Sequence, residues 1–180
     1  MLQRTAAIII DNFLPNEQWQ FVQNNIEEYL YSKNFLENKN KPYNEVIQAI
    51  KDKLKSLDIW REHWNNAIDM WSYINSLPPG IDRESSGEND GYHSEFGGFV
   101  YYLHPNWDSS WGGHLKFKDC SVAQIEPKPN RFVWINPVVW HGIEPVNSNA
   151  NHNRVTVVGW PEGCIEYSNA TLTINTSIES

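Results

Sequence analysis

Three side chains in the second half of the chain have the types and spacing of a metal site. His93 and Glu95 stand two residues apart, and on an extended strand such residues point to the same face and can share one ion. His141 follows a hydrophobic run at 132–135. Two histidines and one carboxylate leave three coordination positions open, the arrangement that holds non-heme Fe(II). Six histidines also produce such spacings by chance, so ordinary core or surface roles stay open.

Arg154 is the second residue with chemical potential. It precedes the apolar run 155–160 and is one of few arginines in the chain. A guanidinium at the edge of a core requires an anionic partner. A bidentate carboxylate of a ligand and an internal salt bridge to an acidic side chain both satisfy that requirement.

The elements that must position these residues are helices followed by strands. Asn16 is expected to cap a helix with apolar residues at helical spacing, and Pro42 to open a second amphipathic helix. Alternation at 68–75 then predicts a strand, and β-rich runs predict others at 98–103, 114–117, 131–135, 155–160 and 171–176. This order favours a mainly β (α+β) jelly roll buttressed by N-terminal helices. The long polar loop 77–90 is typical of a binding loop.

Length and charge limit the partners. A chain of 180 residues predicts one domain, 1–180. Its formal net charge of −8 disfavours nucleic acid, whose binding is mainly electrostatic. The apolar runs are too short for a membrane span or a secretory signal, which predicts a cytoplasmic protein. Cys120 and Cys164 are too few for a disulfide framework. Oligomeric state is not predicted.

Four sequence motifs in the β-rich half carry a family resemblance. They are YYLHPNW at 101–107, WGGHLKF at 111–117, EPKPNRF at 126–132 and HGIEPV at 141–146. In this order they resemble the prolyl 4-hydroxylase group of 2-oxoglutarate/Fe(II) dioxygenases. The pattern of that group reads His-x-Asp, Tyr-Leu-Asn with a Trp soon after, Gly-Gly-x-Leu, Pro, a hydrophobic run, His, and Arg ahead of a strand ending in Trp. The match extends from His93 to Trp160.

The resemblance implies a role for each matching residue. His93, Glu95 and His141 would hold Fe(II), and Arg154 and Tyr102 would bind the distal carboxylate of 2-oxoglutarate. The pocket would be lined by Trp160, Leu115 and Val100. The resemblance also implies O₂ as a substrate and leaves ascorbate open as a further reductant. For Tyr73 two roles stay open: facing the metal and packing in the core.

The activity implied by the resemblance is hydroxylation of an unactivated C–H bond. Peptidyl proline is the substrate expected first, and another protein, peptide or small molecule stays open as the alternative substrate. A non-catalytic cupin-type jelly roll that binds a metal or small acid is the alternative from another class. An inactive oxygenase homologue is a third reading, because Glu95 replaces the family's Asp. Arg154 with Tyr102 favours the oxygenase, since metal binding alone needs no partner for a dicarboxylate.

Some residues depart from the family or fall outside its pattern. His114 stands where the family has an acidic or apolar residue after Gly-Gly, and packing or a surface position is expected for it. Gly112 and Gly113 are expected to form a turn that needs positive φ or a close backbone approach. The remaining histidines are expected to be exposed: His63, His104 and His152.

Overall fold

The fold is mainly β, with short helices near the N-terminus. The computed structural model describes residues 3–34, 36–37, 45–58, 60, 69–81, 98–118, 120, 124–136, 139–162 and 171–176. The helices are α1 Asn16–Asn24, α2 Glu27–Leu30 and α3 Glu45–Lys55. The strands are β1 Gln3–Ile10, β2 Leu36–Glu37, β3 Asp69–Leu77, β4 Gly98–Tyr102, β5 Leu115–Phe117, β6 Gln124–Ile125, β7 Phe132–Ile135, β8 His141–Ile143, β9 Arg154–Glu162 and β10 Thr171–Thr176.

The strands form two sheets. The large sheet has seven strands in the order β10-β1-β7-β4-β9-β3-β2, and the small one has three in the order β6-β5-β8. Among the described strands, every pairing is antiparallel except that of β1 with β10, which is parallel. The predicted mainly β fold with N-terminal helices is therefore confirmed. In the described part of the chain, no helix has the length and apolar character needed to cross a membrane.

The two faces of the large sheet are covered by different layers. Because side chains alternate along a strand, each strand contributes to both. One face packs against the helices in a cluster that includes Ile74, Phe99, Tyr101, Val155, Val157, Val22, Ile26, Ile50 and Leu54. The other packs against the small sheet in a cluster that includes Val100, Tyr102, Val133, Val158, Leu115 and Phe117. The space between the sheets is therefore bounded on both sides by rigid strands.

The first helical segment differs from the expectation in two respects. Asn16 does not cap the helix but is its first residue, and Pro15 precedes it with an extended backbone and no side-chain cap bond. The segment is also two short helices rather than one. At Asn25, between them, φ is −117° and the side-chain amide donates to the carbonyl of Phe21, which competes with helix continuation. The apolar residues beyond the break remain buried, as expected.

Candidate active site between the two sheets

One face of strand β9 points into the space between the sheets, and its side chains become more exposed from Arg154 to Trp160. Residues 154, 156, 158 and 160 share this face, because Val158 and Trp160 belong to the cluster between the sheets while Val155 and Val157 face the helices. Arg154 is 1% exposed, and Trp160 at the other end is partly exposed. The row therefore runs from a buried cation to an aromatic residue near solvent.

Arg154 and Tyr102, predicted to act together, lie in contact. The Nε of Arg154 donates to the carbonyl oxygen of Gly113 at 2.8 Å. A terminal guanidinium nitrogen lies 3.4 Å from the hydroxyl oxygen of Tyr102. The guanidinium carbon is also 5.0 Å from the centroid of the Tyr102 ring, within the range of a cation–π interaction. Both residues are buried, so the charge of Arg154 acts at low effective dielectric.

Thr156 is a site residue that the sequence reasoning missed. It lies opposite Tyr102 on β4 and opposite Asn75 on β3. Its side chain is fully buried, and its Oγ1 has no hydrogen-bond partner among the described residues. A guanidinium, a phenol hydroxyl and an unsatisfied threonine hydroxyl form a donor set suited to a carboxylate. The residues present therefore fit the anionic end of 2-oxoglutarate.

His141 faces the same space from the small sheet. It pairs with Phe117 across the β5–β8 ladder, and directly opposed residues point to the same side of a sheet. Its Nδ1 lies 2.9 Å from the carbonyl oxygen of Val139. Because a carbonyl can only accept, Nδ1 carries the proton, which leaves the lone pair of a neutral imidazole on Nε2. Histidine ligands of metals are oriented in this way, so His141 fits a metal-binding role.

The other two predicted ligands, His93 and Glu95, lie outside the described residues, as does the loop 77–90 from residue 82 onward. Within the described ranges, no group of three histidine, cysteine or acidic side chains could hold a metal ion. Their ligand roles stay predictions.

The predicted lining residues lie in one cluster. Val100 and Leu115 are buried between the sheets, and Trp160 packs against the cluster to which they belong. Tyr73 belongs to the same cluster, with its ring centroid 5.8 Å from that of Trp160. Trp71, which the sequence reasoning did not single out, is 5.3 Å from Trp160 and 44% exposed. The aromatic rings therefore continue from the cluster to the solvent.

The expectation that His104 and His152 are exposed is wrong. Both are buried, and the ring of His104 lies 5.6 Å from Tyr102 and 4.5 Å from Trp107. Burial, together with the nearby charges of Arg154 and His152, lowers the pKa of His104 to about 3. His104 and Trp107 lie in the loop after β4, and His152 lies in the loop before β9 with its ring 5.7 Å from that of Trp107. The position of each histidine in a loop did not reveal this packing. His63 lies outside the described residues.

The double-glycine turn has the conformation that its sequence predicted. Gly112 and Gly113 have φ values of 71° and 70°, which L residues rarely adopt. Next to the turn, His114 is largely buried and its Nδ1 contacts a carboxylate oxygen of Glu144. The packing role expected for His114 agrees with this position.

Comparisons with known proteins bear on the class. A family model described as the 2OG-Fe(II) oxygenase superfamily matches residues 75–162. A prolyl-4-hydroxylase from Pseudomonas putida is 17% identical, with a TM-score of 0.61 and coverage of 89% of this chain and 94% of that one. A prolyl hydroxylase from Trichoplax adhaerens, solved with a hypoxia inducible factor peptide, is 18% identical, with a TM-score of 0.58 and coverage of 88% and 84%. The viral collagen prolyl hydroxylase of Paramecium Bursaria Chlorella virus-1 is 16% identical, with a TM-score of 0.58 and coverage of 91% and 94%.

These comparisons confirm the resemblance found in the sequence. Over residues 75–162 the chain is similar to the 2OG-Fe(II) oxygenase superfamily. The fold is that of the prolyl hydroxylases, which confirms the predicted jelly roll. No curated protein matches the sequence. The superfamily implies Fe(II) and 2-oxoglutarate as the groups used.

Proposed function

We propose that this chain is a 2-oxoglutarate- and Fe(II)-dependent oxygenase that hydroxylates an unactivated C–H bond, with peptidyl proline as its substrate. The observation that carries the proposal is the buried donor set of Arg154, Tyr102 and Thr156, which faces the same space as His141. 2-Oxoglutarate has two functional ends. One would be bound by the carboxylate site on the large sheet, and the other by a metal held from the small sheet.

The donor set accounts for the choice of cosubstrate. A buried guanidinium is strongly stabilised by a carboxylate that it can bind through two parallel hydrogen bonds. The hydroxyl groups of Tyr102 and Thr156 add donors to the same oxygen atoms. If a dicarboxylate were bound here by one end, its other end would be available to a metal held by His141. This arrangement supports 2-oxoglutarate over a monocarboxylate.

The metal would be held by His141 together with His93 and Glu95. When bound, Fe(II) supplies the activation of O₂ that is coupled to oxidative decarboxylation of the 2-oxo acid. The chain itself orients the ligands on strands, supplies an anionic ligand through Glu95, and excludes water with apolar residues such as Val100 and Leu115. Ascorbate would act only as an auxiliary reductant.

The aromatic rings at the solvent-exposed end of the cluster between the sheets favour a proline-containing peptide as the substrate. Trp71, Tyr73 and Trp160 have ring centroids 5.1 to 5.8 Å apart, and Trp71 is exposed. Flat aromatic faces bury the apolar ring of proline without requiring it to donate a hydrogen bond, which proline cannot do. One structural neighbour was solved with a peptide, which is consistent with a peptide substrate here.

The proposal is tested by turnover of defined peptides. The protein is incubated with Fe(II), 2-oxoglutarate and O₂, together with proline peptides or with the same peptides carrying alanine in place of proline. Succinate and the peptide mass are then measured. We expect succinate and the addition of one oxygen atom only with the proline peptides. Succinate with no oxidised peptide would contradict the substrate, and retained iron with no 2-oxoglutarate binding would indicate a cupin-type binding protein instead.

The ligand set is tested by metal analysis. His93→Ala and His141→Ala are each expected to lose bound iron while the fold remains, because ligands of an open site contribute little to the core. His114→Ala is the matched control, since this histidine contacts Glu144 and is not in the ligand set. Full iron stoichiometry in either of the first two variants would remove that residue from the site.

A further inference from the structure

The turn at Gly112 and Gly113 is fixed from several directions. The indole Nε1 of Trp107 donates to the carbonyl of Gly112 at 3.0 Å. The amide of Gly113 donates to the carbonyl of Pro145 at 3.1 Å, and Gly112 forms an isolated bridge with Val146. The left-handed backbone and these contacts leave the peptide planes of the turn few alternative orientations. The carbonyl of Gly113 is therefore a preorganised hydrogen-bond acceptor.

That acceptor is used by the arginine of the anion site. The carbonyl of Gly113 receives the Nε–H of Arg154 at 2.8 Å, and the interaction is buried. A Cβ on Gly113 would be crowded: it would lie 3.0 Å from Cδ of Arg154 and 3.2 Å from Cζ2 of Trp107, so these side chains would have to shift by a few tenths of an ångström. The absence of a side chain and the direction of the carbonyl both serve the placement of Arg154.

We propose that Gly113 is a positioning residue for Arg154, whose guanidinium it holds in the one orientation that receives a carboxylate through its two terminal nitrogens. A guanidinium can bind a carboxylate from its end or from the side that includes Nε. Because the Gly113 carbonyl occupies the Nε side, only the terminal nitrogens can form the bidentate pair. The turn thereby sets the affinity for the cosubstrate without touching it. The identity of that carboxylate rests on the proposed function, whereas the placement of Arg154 does not.

The first test compares two glycines of the same backbone conformation. Gly113 has a φ of 70° and Gly80 a φ of 72°, but a Cβ on Gly80 would approach nothing closer than Ser148 Cβ at 3.6 Å. Both Gly113→Ala and Gly80→Ala therefore carry the same type of backbone strain, and only the first displaces Arg154. Dissociation constants of 2-oxoglutarate and of Fe(II) are measured for both variants without O₂.

For Gly113→Ala we expect the dissociation constant of 2-oxoglutarate to rise by about tenfold or more, the scale of one misplaced charge-assisted hydrogen bond. Iron affinity should be unchanged, and Gly80→Ala should bind 2-oxoglutarate as the original protein does. Unchanged 2-oxoglutarate affinity in Gly113→Ala would overturn the proposal. An equal loss in Gly80→Ala would also overturn it, because strain rather than the arginine would then be the cause.

A second measurement needs no cosubstrate. The Nε–H of Arg154 is followed by nitrogen-15 NMR, its signal being assigned by its loss in Arg154→Lys. We expect slow exchange with solvent in the original protein and at least about tenfold faster exchange in Gly113→Ala, because buried hydrogen bonds protect against exchange. Equally fast exchange in both would overturn the proposal. A protein that protects this proton but does not bind 2-oxoglutarate would refute the proposed function and leave the positioning role standing.

Trp107→Phe provides the same test if Gly113→Ala fails to fold. It removes the donor to the Gly112 carbonyl and keeps an aromatic ring in place. The dissociation constant of 2-oxoglutarate should rise by about threefold, the scale of a weakened neutral hydrogen bond. An unchanged constant, together with unchanged exchange of the Arg154 proton, would show that the turn does not control the arginine.

Discussion

Replacing Thr156 by valine should stabilise the protein and weaken cosubstrate binding at the same time. The Oγ1 of Thr156 is buried with no partner among the described residues. An unsatisfied buried hydroxyl costs about 1–3 kcal/mol, and valine has nearly the same shape without the polar atom. We expect the free energy of unfolding to rise by about 1–2 kcal/mol. In a chain of this length that raises Tm by about 2–4 °C per kcal/mol.

The same substitution should weaken cosubstrate binding although it stabilises the fold. A hydroxyl that donates to a bound carboxylate contributes about 1.5–3 kcal/mol, so the dissociation constant of 2-oxoglutarate should rise by about tenfold or more. Thermal unfolding of the protein without ligand and titration with 2-oxoglutarate in the absence of O₂ measure the two effects. Thr156→Ser keeps the hydroxyl and should retain most of the affinity.

A matched control lies on the other face of the same sheet. Ser72 also has a buried hydroxyl with no described partner, but it lies beside Gly159 and Phe99 on the side that faces the helices. Ser72→Ala should leave 2-oxoglutarate binding unchanged. A Thr156→Val variant that is less stable, or that binds 2-oxoglutarate with full affinity, would refute the assignment of this hydroxyl to the anion site.

Three further predictions concern charged and titratable residues. Arg154→Ala should keep iron but lose about 2–4 kcal/mol of 2-oxoglutarate binding free energy in the same titration. Tyr102→Phe should lose less. An unchanged binding curve for Arg154→Ala would show that the arginine has a structural role. Glu95→Gln should weaken Fe(II) binding strongly and Glu95→Asp should retain it, and equal affinity in all three proteins would show that Glu95 does not touch the metal. The pKa of His104 is lowered from 6.5 to about 3, so its neutral form stabilises the fold above pH 6.5 and this stability is lost as the pH falls towards 3. Denaturant unfolding should show a slope of up to about 1.4 kcal/mol per pH unit from this residue, flattened in His104→Phe, and an identical slope in that variant would contradict the burial of a neutral imidazole.

The fold was largely predictable because the strands are regular. Alternation and β-branched residues located the strands now numbered β3, β4, β5, β7, β9 and β10. Strands β2 and β6 have two residues each and are too short to show alternation. Strand order could not be read at all, because pairing such as β1 between β7 and β10 depends on contacts that are remote in sequence.

The site was predictable where residue type is unusual for its position. Arg154 at the head of an apolar strand stood out, and so did the paired glycines. Thr156 did not, because threonine is common in strands and a hydroxyl without a partner is visible only in three dimensions. The alternation that starts at Arg154 could have placed Thr156 on the same face. The burial of His104 gave no signal, because it depends on how the loop around Trp107 folds back.

The most direct test of the account is the absorption spectrum of the protein with Fe(II) and 2-oxoglutarate in the absence of O₂. A 2-oxo acid that chelates Fe(II) gives a visible charge-transfer band, so the band should appear only when both are present. It should be absent from His141→Ala and should require much more 2-oxoglutarate in Arg154→Ala. A protein that binds iron and gives no band at saturating 2-oxoglutarate would contradict the proposed function.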